Sequence, residues 1–533
     1  MHRFNMFVAA SLIATSLAGS YQFTLAADNP AGLPATGAQT FDYEWLKTHA
    51  RTLAAQAYRP PPSSLPAPIA HLNWDQMQAI RFKQQQALWR NQAVNFRVKF
   101  FHLGLYNKVP VKMFEVVDGR ARPLPYESAL FDYGASGVDA GRLPASLGFA
   151  GFQLLFHTDW KRDVAAFQGA SYFRAVGASR QYGMSARGLA IDCGLPTPEE
   201  FPIFDAFWFE RPQPGATRMT LYALLDSPSV SGAYRFTIAP GETLTMDIDA
   251  ALYPRRPIQH VGIAPLTSMF LCGENDRRVS ADFRPEIHDS DGLALWTGAG
   301  EWIWRPLVNP PVVRLNSFFD DNPRGFGLLQ RDRNFDHYQD DGAFYDRRPS
   351  VWVQPKPGPA GKGWGRGAVQ LVEIPTADET FDNIVAFWHP AETPQPQQEL
   401  AFAYRLSWGA KPPVTPPLAT VRATRTGIGG VVGQARKHYS RRFVVDFAGG
   451  NLAALAADAK VEPVIHASRG VIEVPSARPL TAIDGWRAIF DLQPTDESRE
   501  PIDLRLYLRS AGRPLTETWL YQWTPPPPAE RKF

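Results

Sequence analysis

Beyond about residue 95 the apolar residues recur at every second position, in short runs broken by Gly, Pro and Asp. That period restricts the chain to β structure, because alternate side chains of a strand share one face. Met219, Leu221, Ala223 and Leu225 alternate with other residues. Phe236 and Ile238 alternate before Pro240-Gly241, and Leu244, Met246 and Ile248 alternate after it, which predicts a hairpin. The texture continues to Phe402, Tyr404, Leu406 and Trp408. The 48 prolines argue the same way, since each removes a backbone donor and none suits a helix interior. Two early stretches differ. Trp45, Leu46, Leu53 and Tyr58 are spaced for one helix over 41–58, and Trp74, Met77, Ile80 and Phe82 begin another over 73–93.

A chain of 533 residues is too long for one ordinary core and predicts two or three domains. The class expected is mainly β. Residues 28–408 read as a large antiparallel β-sandwich with short N-terminal helices. Residues 409–419, with Pro412, Pro413, Pro416 and Pro417, read as an extended linker. Residues 420–533 read as an immunoglobulin-like β-sandwich. There Ile502, Leu504, Leu506 and Leu508 alternate, Gly512-Arg513-Pro514 turns the chain, and Trp519, Tyr521 and Trp523 alternate back.

Residues 1–27 read as an export signal: a weak basic start at His2 and Arg3, an apolar stretch from Phe7 to Gly19, and small residues at Ala26-Ala27. No later segment has the ~18 apolar residues of a membrane span. The expected location is the periplasm, without stable membrane insertion.

A net charge of +3 supports neither a nucleic-acid groove nor a trap for acidic substrates, and a neutral substrate fits better. Cys193 and Cys272 lack metal-site spacing; separate buried thiols and a disulfide both remain open. The nearest approach to a serine-hydrolase turn, Gly183-Met184-Ser185-Ala186-Arg187, has Arg187 where the second glycine belongs. Asp289, Asp291, Asp320, Asp321, Asp340 and Asp341 do not follow a calcium-loop pattern and read as turn caps. Neither a metal nor a cofactor is expected.

What remains is acids beside flat rings. Asp289 lies in His288-Asp289-Ser290-Asp291, ahead of Trp296, Trp302 and Trp304. Asp382 lies in Glu379-Thr380-Phe381-Asp382-Asn383, ahead of Phe387 and Trp388. Glycoside chemistry needs one carboxyl to protonate a leaving oxygen, a second to handle the attacking group, and rings to hold the pyranose. An aromatic wall around Asp382 would keep it protonated as a general acid, and Asp289 in its polar turn suits a base. The alternatives are a turn cap for Asp382, a loop ion pair for Asp289, and plain core for the tryptophans.

Long strings carry a resemblance over nearly the whole chain. Among them are Gly169-Ala170-Ser171-Tyr172-Phe173-Arg174-Ala175, Gln181-Tyr182-Gly183-Met184-Ser185-Ala186-Arg187-Gly188, Ile287-His288-Asp289-Ser290-Asp291, Asn322-Pro323-Arg324-Gly325-Phe326-Gly327-Leu328-Leu329-Gln330 and Thr518-Trp519-Leu520-Tyr521-Gln522. With them the chain resembles the glucans biosynthesis protein G and D family, nearer its D branch. The resemblance implies a mutarotase-like sandwich joined to an immunoglobulin-like domain. It also implies a role in osmoregulated periplasmic glucans, acting on β-1,2-glucan as an inverting hydrolase or a cyclising transglycosylase. On this resemblance Asp382 is the general acid, Asp289 takes the attacker's proton through water, and Tyr345 and Glu379 line the site. Trp302 and Trp388 are the ring platforms expected from the residue reading. The resemblance further implies a homodimer and a link to a membrane glucan synthase. The alternative is a non-catalytic glucan-binding protein that sets backbone structure with that synthase. Lys356–Lys362 is an insertion relative to the family pattern.

Overall fold

In the computed structural model, residues 38–63, 65–358, 361–455 and 459–532 are described. The export signal read over 1–27 lies outside them, as do Pro359 and Ala360 of the expected insertion. The described chain is mainly β, as its alternating pattern requires. It divides into two compact units. The first takes the chain up to Thr267, with Pro355–Ala368 and Phe387–Gly409; the second takes Ser268–Gln354, Val369–Ala386 and Ala410–Phe533.

In the first unit the predicted hairpin forms, with Phe236 opposite Ile248 and Ile238 opposite Met246. Its strands, Val230–Ala239 and Leu244–Pro254, continue a sheet with Lys112–Val117, Ile203–Glu210, Met219–Asp226 and Leu400–Gly409. A second sheet runs through Phe96–Phe101, Gly151–Phe156, Asp159–Gln168 and Tyr172–Ala175. Rings from the two sheets meet edge to face, Phe152 on Phe207 at 4.9 Å and Phe167 on Phe236 at 5.3 Å. The first predicted helix spans Tyr43–Ala54; Asp42 caps it by accepting from the Trp45 amide, and Leu46, Ala50 and Ala54 are buried.

The second predicted helix is shorter than its pattern suggested. It spans Trp74–Ala79, opened by an Asn73/Gln76 capping box. Ile80 turns extended and Phe82 pairs with Phe131 in a two-residue ladder, so a tertiary pairing overrides the local period.

In the second unit we number the strands that build the site: β1 (Phe270–Cys272), β2 (Ile287–His288), β3 (Gly292–Trp296), β4 (Trp302–Pro306), β5 (Gly325–Leu329) and β6 (Ser350–Lys356). β3 pairs antiparallel with both β4 and β5, and β5 pairs with β6. Two glycines make this possible. A Cβ on Gly292 would stand 2.4 Å from Cζ2 of Trp304, and one on Gly325 would stand 2.4 Å from Cζ2 of Trp352. β4 runs parallel to Thr518–Trp523, which returns against Ile502–Ser510 with Leu504 opposite Tyr521 and Leu506 opposite Trp519.

Thr420–Ile428, Arg441–Ala448, Gly485–Gln493 and Val471–Leu480 form a separate four-stranded sheet. Trp302, Trp304 and Trp352 share one core with Val421, Phe443, Phe490, Leu506 and Trp519. Residues 420–532 therefore pack inside a larger unit that also holds β1–β5. No helix among the described residues is long and apolar enough to cross a membrane.

Candidate functional site

Asp289 follows β2, where its amide donates to the Met269 carbonyl at 2.8 Å. β1 and β2 pair, with Phe270 opposite His288. The Asp289 carboxylate is buried, and its Oδ1 accepts from Nη1 of Arg348. Asp291, two residues on, is committed elsewhere: its carboxylate accepts from the amides of Arg331 and Asp332. Asp289 thus makes the ion pair with an arginine that the sequence left open as its alternative, while Asp291 anchors a loop.

Arg348 lies 4.2 Å from the Tyr345 ring centroid, guanidinium over ring. Burial works against its charge, but Asp289 and Tyr345 outweigh that and hold it above the ordinary arginine value. Tyr345 is fully buried and donates from Oη to Oε2 of Glu379 at 2.6 Å. Burial pushes its phenol far up, opposed by Arg348 and helped by Asp289 and Glu379, so it remains a donor. The structure thus brings together Asp289, Tyr345 and Glu379, three of the residues expected at the site.

Glu379 is held from its other side. Arg284 donates to its Oε2 at 2.9 Å and its Oε1 at 3.1 Å, in the two-pronged geometry that fixes a carboxylate. The same guanidinium reaches Asp340 at 2.7 Å and Asp282 at 2.9 Å. Burial penalises the Asp340 charge, but Arg284 and the amides of Ala343 and Gly342 more than compensate, leaving its carboxyl below the ordinary range. Asp340 thereby closes the loop that carries Tyr345. Before that loop turns, Phe344 adopts a left-handed conformation (φ 53°), a strained position for a bulky residue.

Asp382 is partly buried, three residues after Glu379. Its position is set by its neighbour Asn383, which is buried and saturated. The Phe270 amide donates to Asn383 Oδ1 at 2.8 Å, and Asn383 Nδ2 donates to the carbonyls of Phe270 at 3.0 Å and Ile374 at 2.9 Å. Asp382 is thus fastened to β1, the strand that also receives the Asp289 amide one residue before its start.

The aromatic expectation needs correcting. Trp302 is buried against Trp296 and Trp352, with ring centroids 5.0 and 5.7 Å away. Trp388 is fully buried in the first unit, its ring 6.2 Å from that of Trp364. Phe387 is fully buried as well, while Phe381, beside Asp382, is 41% exposed. Large rings gain most from leaving water, so these tryptophans fill cores and present no face to a sugar. Sequence reasoning also missed Arg348 and Arg284, and it read Asp340 only as a turn cap, a role that it fills toward the Gly342 amide. Their partners lie 59, 95 and 56 positions away, so no local period or spacing reports them.

A cavity of about 40 Å³ lies beside β2, lined by Glu274, Glu286, His288, Asp291, Arg331 and Asp332 among others. Burial alone would lower the His288 value, but Glu286 and Asp291 override it and raise it to about 9. Glu286, Asp332 and His337 place ligand-type atoms within 4.8 Å of one another. Those atoms are already engaged: Glu286 with His288 at 3.0 Å, and His337 with Asp332. Cys193 and Cys272 are both buried free thiols.

The sequence pattern of the family described as "Periplasmic glucan biosynthesis protein, MdoG" matches residues 41–523. The chain is 60% identical over 528 residues to "Glucans biosynthesis protein D" of Xanthomonas campestris pv. campestris (strain B100), covering 98% of each chain. It is 61% identical over 498 residues to the protein of that name from Xylella fastidiosa (strain 9a5c), covering 93% of this chain and 92% of the other. It is 59% identical over 495 residues to "Probable glucans biosynthesis protein D" of Shewanella oneidensis (strain MR-1), covering 93% and 91%. A match over nearly the full length, including both segments that carry the candidate acids, shows that the chain belongs to the MdoG family of periplasmic glucan biosynthesis proteins.

Proposed function

We propose that this protein acts in the biosynthesis of osmoregulated periplasmic glucans by cleaving or transferring linear β-1,2-glucan with inversion at the anomeric carbon. Asp382 protonates the leaving glycosidic oxygen. The attacking hydroxyl, from water or from a sugar, gives up its proton through water to Asp289. In this single displacement one C–O bond breaks as another forms, Asp382 gives one proton, Asp289 receives one, and exchange with water resets both carboxyls, so no further reactant is needed. A relay through water allows a wider carboxylate gap than the ~5 Å of a retaining pair. Glu379, locked by Tyr345 and by Arg284, offers the sugar a carboxylate of fixed position.

What supports this reading is the hydrogen-bonded frame that gathers three distant segments. Asp289 is on Arg348, Arg348 over Tyr345, Tyr345 on Glu379, and Asp382 is fastened through Asn383 to the strand beside Asp289. The test is incubation with linear β-1,2-glucan, following product length by mass spectrometry. Wild-type protein changes the length distribution, and Asp382→Asn slows this by about 100-fold or more, the scale of general-acid loss. If neither protein alters the glucan while both bind it, the protein is a non-catalytic glucan binder and the catalytic assignment fails.

A further inference from the structure

Large rings in this chain are mostly buried, so the exposed ones carry information. Among the described residues four phenylalanines are more than a third exposed: Phe283 at 82%, Phe319 at 86%, Phe335 at 40% and Phe381 at 41%. Phe319 stands on the strand Arg314–Asp321, and Phe335 opens the short helix Phe335–Tyr338. Phe283 and Phe381 differ from them, because each is within two residues of one partner of the Arg284–Glu379 pair.

Both rings are presented on fixed backbone. Phe283 sits between Asp282 and Arg284, and Asp282 Oδ1 accepts from the Arg284 amide at 2.9 Å, making a tight turn with Phe283 inside it. Arg284 is then pinned by Glu379 and Asp340. Phe381 follows a second turn of this kind, in which the Thr380 amide donates to Asp378 at 2.7 Å, and it is followed at one residue's remove by the buried Asn383 clamp. A rigid backbone that holds a large apolar ring in water gains nothing from folding alone. It is what a ligand with an apolar face requires, since little ordering entropy is left to lose on binding.

A β-glucose unit is such a ligand. Its axial C–H groups form a flat apolar face that packs on the electron-rich face of an aromatic ring. Its equatorial hydroxyls point outward, toward polar groups such as the Glu379 carboxylate. We propose that Phe283 and Phe381, not the tryptophans, are the platforms on which glucose units of the bound glucan stack. Phe381 holds the sugar next to the bond that Asp382 protonates, and Phe283 holds a unit further along the chain. This inference rests on the proposed glucan activity and adds the residues that grip the chain.

The experiment compares wild-type, Phe283→Leu, Phe283→Trp, Phe381→Leu and Phe381→Trp proteins on linear β-1,2-glucan. Leucine keeps the apolar character and removes the flat face; tryptophan keeps both. Phe283→Leu raises KM about tenfold, a typical loss for one stacking contact, and changes kcat less than KM. Phe381→Leu lowers kcat as well, and both tryptophan variants stay within about threefold of wild type in KM. Equal melting temperatures across the set exclude a folding defect, as the exposure of both rings leads one to expect. Unchanged KM in both leucine variants, with wild type active, overturns this inference and leaves the proposed function standing. Leucine and tryptophan variants weakened alike overturn stacking as the mode of contact. A wild-type protein that neither binds nor alters the glucan overturns the proposed function and this inference together.

Discussion

At the scale of single residues, His288 and Asp289 are chain neighbours with opposite electrostatic lives. Asp289 pairs with Arg348, whereas His288 is buried between Glu286 and Gln330. The folded His288 value of about 9 lies above the ordinary 6.5. The stability it adds is therefore full below about pH 6.5 and is lost as pH rises through about 9, at no more than ~1.4 kcal/mol per pH unit for one proton. Asp291, raised to about 6 chiefly by burial, adds a decline of the same sign at lower pH, between about 4 and 6. Melting temperatures of wild type and His288→Gln between pH 6 and 10 check the first claim: the gap between them narrows as pH approaches 9. A constant gap would mean that His288 is neutral in the folded protein. Of this the sequence showed only the His-Asp-Ser-Asp string. That Asp291 anchors a loop while Asp289 meets a guanidinium depends on Arg331, Asp332 and Arg348, which pattern does not connect to it.

At the scale of elements, strands were the readable part, because a two-residue period needs only local order. The 230–254 hairpin and the return of 502–510 against 518–523 both form, with the alternating apolar residues opposite one another. The helix over 73–93 was overread, since Ile80 and Phe82 fit either period and a ladder with Phe131 decided it. The clamp between Asn383 and β1 was invisible for another reason: an asparagine's partners are backbone groups, which carry no sequence signal. Removing that side chain leaves the Phe270 amide and the Phe270 and Ile374 carbonyls without their partner. Asn383→Ala should cost about 2–3 kcal/mol in urea unfolding. It should also lower activity more than Asn383→Asp, which keeps the acceptor for the Phe270 amide. Wild-type stability and activity in Asn383→Ala would show that Asp382 is positioned by something else.

At the scale of the whole molecule, the mainly β class and the family were both legible, the first from period and proline, the second from long unbroken strings. The division of the chain was harder to read, because the second unit is assembled from three separate stretches of chain. Trp519 and Leu506 fill the same core as Trp302, Trp304 and Trp352. A protein truncated after Gly409 should therefore lose the near-ultraviolet circular dichroism of those tryptophans and become protease-sensitive across 268–354. Native-like spectra in the truncated protein would contradict a shared core. The central claim concerns chemistry, and the anomeric configuration of the first-formed product tests it most directly. With linear β-1,2-glucan, polarimetry or proton NMR early in turnover should show the α-anomer from wild-type protein, and no product on that timescale from Asp382→Asn. A β-anomer, or turnover undiminished by Asp382→Asn, would contradict the inverting mechanism with Asp382 as its acid.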